Sequence, residues 1–301
     1  MPEDLHVLPK IRDSLSMLYI EKGRIERDDA AIAVFDQSGK TTVPIASLAV
    51  LNLGPGTVIS HAAIRVLAEN ACMVFWTGEE HVRFYAAGTG ATRSAAPLLL
   101  QARLASSDQT RMQVVRRMYT ARFDEDIDSG LSIEALRGKE GVRVREAYSE
   151  WSRKTGIPWS GRSYRRDSWN SADPANRALS CANSCLYGIC HAAIVATGFS
   201  PAIGFIHTGK QLSFVYDIAD LYKVEITIPL AFQAVAESHV DLERQVRLRC
   251  RDLFRESRLL QRIVPDIKRM LGADPELCSD EFAPDDDSAL PTALWSPESE
   301  V

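Results

Sequence analysis

The stretch "DPANRALSCANSCLYGICHAAIVATG", residues 173–198, carries its own helix boundaries. Asp173 is suited to the N-cap, Pro174 to the first helical position and Gly198 to the terminator. Helical spacing continues on both sides. Upstream it begins at Leu98, with Met112, Val115 and Tyr119 on one face, and a second helix is expected around 133–154. Downstream, roughly 239–270 places Leu242, Val246, Cys250, Leu253, Ser257 and Leu260 on one stripe, with six arginines mostly off it.

Before residue 86 the pattern is different. "SLSMLYI", "AAIAVF", "TTVPIASLAVL", "CMVFW" and "VRFYA" are β-branched or aromatic runs separated by Gly, Asp and Asn, and they predict strands. One helix interrupts them at "SHAAIRVLAEN", with Ser60 as N-cap. "AAGTGATRSAAP", residues 86–97, has a linker's composition; it is not read as a phosphate loop, because Arg93 stands at the third glycine position and no Lys-Ser/Thr pair follows. The expected fold class is therefore α+β. It comprises an N-terminal β-rich domain (1–88), a linker (89–97), an all-α catalytic domain (98–271) and a disordered acidic C-terminal tail (272–301).

Composition narrows the class. A chain of 301 residues with 46% hydrophobic content can build a core without disulfide or metal staples. No N-terminal signal pattern and no run of about 18 apolar residues is visible, and the six cysteines are not spaced as a disulfide framework, so a cytoplasmic protein without a membrane partner is expected. The net charge of −5 conceals a division: the tail holds nine acids and no Lys or Arg, leaving a body with an excess of four positive charges for a polyanionic partner. The tail itself reads as a weak mimic of DNA charge or as a solubilising extension.

Within "GFIHTGKQLSFVYDIADLYK" (204–223), Asp217 and Asp220 stand three residues apart on an expected helix, at the margin of its apolar stripe. Two readings apply, a solvated acidic edge or a divalent-cation site completed by His207. Lys210 adds a charge suited to phosphate. A zinc module on Cys181, Cys185, Cys190 and His191 is disfavoured, since one helix spreads those side chains around its axis.

The runs "LRGKEGVRV" (136–144), "SCLYGICHAAI" (184–194), "AIGFIHTGKQLSFVYDIAD" (202–220), "RLRCRDLFRES" (247–257) and "LNLGPGTVISHAAIRVLAE" (51–69) together resemble the CRISPR-associated spacer-acquisition integrases of type I-E form, over roughly residues 8–270. The resemblance implies an enzyme that inserts foreign DNA into a CRISPR array by attack of a 3′-hydroxyl on repeat phosphodiesters. It implies a homodimer, with two dimers bridged by a small ferredoxin-like partner protein. The expected DNA is a duplex with single-stranded 3′ ends, joined to CRISPR repeat DNA.

For the site, the resemblance implies Glu140, His207 and Asp220 as ligands of Mg²⁺ or Mn²⁺, with Asp217 as a further acidic residue. It nominates Arg65, Arg83, Arg137, Tyr164, Tyr187, Lys210, Arg244 and Arg247 as DNA contacts. No protein nucleophile is expected, because the substrate brings its own hydroxyl. Two positions depart from the family pattern: Lys22 stands where a stacking aromatic is implied, with Tyr19 nearby to take that role, and Val58 where another arginine is implied. Outside integration, a general metal-dependent endonuclease acting on branched DNA in repair uses the same ligands, whereas a non-catalytic DNA scaffold needs none of them.

Overall fold

The computed structural model describes residues 16–273 apart from 46–47, 71, 80–83, 89–94, 124, 126, 129 and 163–172. Eight strands come first: β1 (Ser16–Ile20), β2 (Arg24–Asp28), β3 (Ala31–Asp36), β4 (Gly39–Pro44), β5 (Leu48–Leu53), β6 (Val58–Ile59), β7 (Met73–Thr77) and β8 (Phe84–Ala87). Among the described residues, one α-helix, α1 (His61–Glu69), lies between these strands. Helices follow: α2 (Ala96–Ser106), α3 (Asp108–Phe123), α4 (Ile133–Thr155), α5 (Pro174–Ala196), α6 (Ser213–Ala219), a π-helical turn (Lys223–Thr227), α7 (Ile228–Glu237), α8 (Leu242–Glu256) and α9 (Leu259–Leu271). β structure followed by helices is the α+β order expected from sequence.

The strands form two four-stranded sheets, ordered β1-β5-β7-β8 and β4-β3-β2-β6. In the first, β1, β5 and β7 run parallel and β8 antiparallel. The expected single run "TTVPIASLAVL" divides between them, its first half (β4) closing one sheet and its second (β5) sitting inside the other. β2, "RIERD", was not anticipated. Only Ile25 of this strand is fully buried, while Arg24 pairs with Glu26 at 2.7 Å and Asp28 with Lys40 at 2.9 Å on the solvent side, so its charges hide the alternation that a half-buried sheet requires. Ser60 caps α1 as expected, its Oγ accepting from Ala63 N at 3.2 Å.

α5 is the central helix. Asp173 accepts from Asn176 N at 2.9 Å and Pro174 opens the first turn. Apolar nearly all round, it packs against α6, α7, α8 and α9, while Ala192 and Ala196 meet Val50, Met73 and Phe75 of the first sheet. It is also long and apolar enough to cross a membrane, but most of it is buried inside the protein. The expected continuous helix over 239–270 is instead two, because Arg258 takes φ +48° between α8 and α9 and turns the chain.

His191 on α5 is 6% exposed, and burial pushes its imidazole down to about 4. A lowered pKa in the folded state means that the unfolded chain binds the proton more readily. Stability is therefore full above about pH 6.5 and is lost as pH falls towards about 4, by about 3 kcal/mol. Denaturant titrations of wild type and His191→Gln across this range are expected to show the wild-type loss and its absence in the variant.

Candidate active site

The loop between α5 and α6 delivers His207, and the chain holds that loop from three directions. Gln101 on α2 donates to the carbonyls of Ser200 (3.0 Å) and Ile203 (2.8 Å) and accepts from Ser200 N (2.8 Å). Arg111 on α3 donates to Phe205 O at 3.0 Å and Gly204 O at 3.1 Å. Asp217 on α6 accepts from the amides of Phe205 (2.6 Å), Ile206 (3.1 Å) and His207 (2.9 Å).

Asp217 therefore corrects the sequence expectation of a residue at the stripe's margin. It is 0% exposed, in the middle of the buried face. Its Oδ1 also lies 2.7 Å from His207 Nδ1, so Asp217 positions the imidazole, and His207 Nε2 is left 4.0 Å from Asp220 Oδ2. Gly204 makes the tight turn possible: a Cβ there would lie 2.2 Å from His207 O and 2.8 Å from the Ser213 side chain. Gly204→Ala is expected to cost about 1–3 kcal/mol by overpacking and to displace His207. Thermal melts and a strand-joining assay should both register the change.

Asp220 closes α6 and meets Lys223 Nζ at 2.7 Å, where the π-helical turn begins. Glu140 enters from α4. Between the two acids stands Arg122 of α3, its Nη1 3.9 Å from Glu140 Oε1 and its Nη2 3.6 Å from Asp220 Oδ2. Arg143 Nη1 lies 3.8 Å from Glu140 Oε1. Burial pushes the Glu140 carboxyl above its usual range, against the pull of Arg122 and Arg143. Burial likewise opposes ionisation of Asp220, but Lys223 and Arg122 outweigh it and hold that carboxyl below the usual range.

Among the described residues, no three His, Cys, Asp or Glu side chains stand close enough to hold one ion directly. The arrangement is nevertheless suited to a divalent cation. Glu140 Oε2 is buried with no hydrogen-bond partner, and two carboxylates with an imidazole form a hard-to-borderline donor set. Sequence reasoning missed Arg122, Arg143 and Lys223, the cations that balance the acids.

The nominated DNA contacts are dispersed. Tyr187 joins the site: Lys223 Nζ lies 4.9 Å from its ring centroid, and its ring is edge-on to Tyr216, which is edge-on to His207. Arg137 and Lys210 are exposed near the His207 loop, Arg137 reaching Ile206 O at 3.5 Å. Arg247 and Tyr187 line a cleft of about 660 Å³ between the first sheet and α5, α8 and α9. Arg244 is exposed on α8, and Arg65 on α1 pairs with Glu69 at 3.2 Å. Arg83, Tyr164 and tail residues 274–301 lie outside the described residues. At the departing positions, Lys22 adopts φ +52° and Val58 is 63% exposed. Tyr19 packs over Gly54 with its hydroxyl donating to Glu21 at 2.8 Å.

Strands followed by a helical bundle that carries this acidic site are the architecture shared with the solved Cas1 structures. The family described as CRISPR associated protein Cas1 matches residues 18–129 and 120–249, and the chain belongs to it. CRISPR-associated endonuclease Cas1 2 of Thermus thermophilus is 53% identical over 301 residues, covering 99% of this chain and 91% of the relative. CRISPR-associated endonuclease Cas1 of Escherichia coli is 43% identical over 264 residues, covering 87% of each. The crystal structure of a TtCas1–DNA complex superposes with a TM-score of 0.74 at 55% identity, over 88% of this chain and 99% of that one. Its relatives in that family carry the name CRISPR-associated endonuclease.

Proposed function

We propose that this chain is the metal-dependent DNA integrase of CRISPR adaptation, with Glu140, His207 and Asp220 as ligands of Mg²⁺ or Mn²⁺. The observation that carries the reading is the approach of Glu140 and Asp220 to Arg122, with His207 Nε2 4.0 Å from Asp220 and Glu140 Oε2 buried and unpartnered. A bound divalent cation would polarise the phosphoryl oxygen and offset charge developing in the transition state.

The reaction is a transesterification. The 3′-hydroxyl of the incoming DNA bonds to a repeat phosphorus, the P–O bond to the neighbouring nucleotide breaks, and the proton of the attacking hydroxyl is balanced by one gained on the departing oxygen. This chain's residues orient and hold charge. Asp217 fixes His207 through Nδ1, leaving Nε2 towards Asp220, and Lys223 keeps Asp220 ionised. Tyr187 and Lys210 take the single-stranded 3′ end by stacking and charge, and Arg65, Arg137, Arg244 and Arg247 contact phosphates, as would Arg83 and Tyr164. The working assembly is a cytoplasmic homodimer, two of which are bridged by the small ferredoxin-like partner.

A strand-joining assay tests this. With Mg²⁺ and repeat DNA, the protein is expected to join oligonucleotides ending in a 3′-hydroxyl and to fail with 3′-deoxy ends. Equal cleavage of branched DNA with no dependence on the 3′-hydroxyl would favour the repair endonuclease instead.

A further inference from the structure

We propose that Arg122 is a built-in counter-cation that makes divalent-metal loading of this site depend on DNA; the inference rests on the reading above that Glu140, His207 and Asp220 hold the ion. Arg122 is fixed by its surroundings. Its side chain is 2% exposed, Nη2 donates to Asp217 O at 3.0 Å, and the guanidinium carbon lies 5.2 Å from the Tyr119 ring centroid. Its approaches to Glu140 and Asp220, at 3.9 and 3.6 Å, are too long for hydrogen bonds, so it compensates their charge without satisfying their oxygens. Its own Nε has no partner.

The acids around it are already matched by cations. Glu140 and Asp220 face Arg122, Lys223 and Arg143, and a guanidinium does not shed its proton to make room for an incoming cation. A divalent ion entering such a partly buried site adds positive charge in a medium that screens it poorly. Phosphodiester groups supply the missing negative charge. Ion and DNA therefore stabilise each other's binding, and the coupling is reciprocal. Arg122 acts here as a positioning residue, through the charge it holds beside the ligands.

The test is a Mn²⁺ titration of the full chain followed by electron paramagnetic resonance of the free ion. It is run without DNA and with a duplex bearing single-stranded 3′ ends, corrected for Mn²⁺ bound by that duplex alone. Wild type is expected to bind Mn²⁺ at least about tenfold more tightly with DNA. Arg122→Met is expected to bind more tightly than wild type without DNA and to gain little from it, whereas Arg122→Lys, which keeps the charge, retains the coupling. Wild-type affinity unchanged by DNA, coupling of wild-type size in Arg122→Met, or lost coupling in a folded Arg122→Lys would each overturn the proposal. Should Arg122→Met fail to fold by circular dichroism, the wild-type and Arg122→Lys titrations decide it. Glu140→Gln separates the two readings: Mn²⁺ binding that persists undiminished in this variant would refute the metal site itself, independently of Arg122.

Discussion

Glu140→Gln is expected to reduce strand joining by about a thousandfold or more while leaving the metal-free protein at least as stable as wild type at neutral pH. If Glu140 holds the ion as proposed, the loss follows from removing a ligand of the cation that would offset transition-state charge, an effect of several kcal/mol, at about 1.4 kcal/mol per factor of ten. The stability follows from the raised carboxyl of Glu140, due first to burial. A group whose folded pKa is raised contributes stability below its unfolded value, about 4.3, and loses that contribution as pH rises through the folded value. At neutral pH the ionised, buried carboxylate thus opposes folding, and the neutral amide does not. Melting temperatures near pH 4 and at neutral pH, beside joining rates, check both halves. A variant that joins normally would remove Glu140 from the site, and one that unfolds at neutral pH would make Glu140 structural.

Asp217→Ala is expected to destabilise the protein by at least about 3 kcal/mol, because three amides lose a buried acceptor at roughly 1–3 kcal/mol for each unsatisfied group and the His207 imidazole loses its partner. Those donors are Phe205 N, Ile206 N, His207 N and His207 Nδ1, all within 3.1 Å of the carboxylate. Asp217→Asn keeps one acceptor oxygen but turns an NH₂ towards a donor, so an intermediate loss is expected, with His207 misoriented and joining reduced by about 10–100-fold. Urea unfolding measures the first effect and single-turnover joining the second. A folded Asp217→Ala protein within about 1 kcal/mol of wild type would show that Gln101 and Arg111 hold the loop without it.

Much of the helical domain was legible because its signals are local. Asp173, Pro174 and Gly198 mark the ends of α5 through groups a few residues apart, and Ser60 does the same for α1. Long-range packing decided what local pattern missed. β2 is a strand because Ile25 finds the core while its charged neighbours pair on the solvent side, and α8 ends because the bundle turns the chain at Arg258.

The candidate site divides in the same way. The sequence by itself singled out the acids and the histidine, because motif resemblance preserves residue identity and spacing, and it determined the proximity of Asp217 and Asp220, which stand three positions apart on one short segment. Only the tertiary structure decided their roles. Two aspartates three residues apart look alike in sequence, yet the 204–207 loop folds over Asp217 and consumes its oxygens, while Asp220 stays beside His207 Nε2. Arg122 and Glu140 lie 18 positions apart on α3 and α4, and nothing local couples them. Their meeting depends on how two helices pack, and burial there lowers the screening that would otherwise make a 3.9 Å separation of charges unimportant.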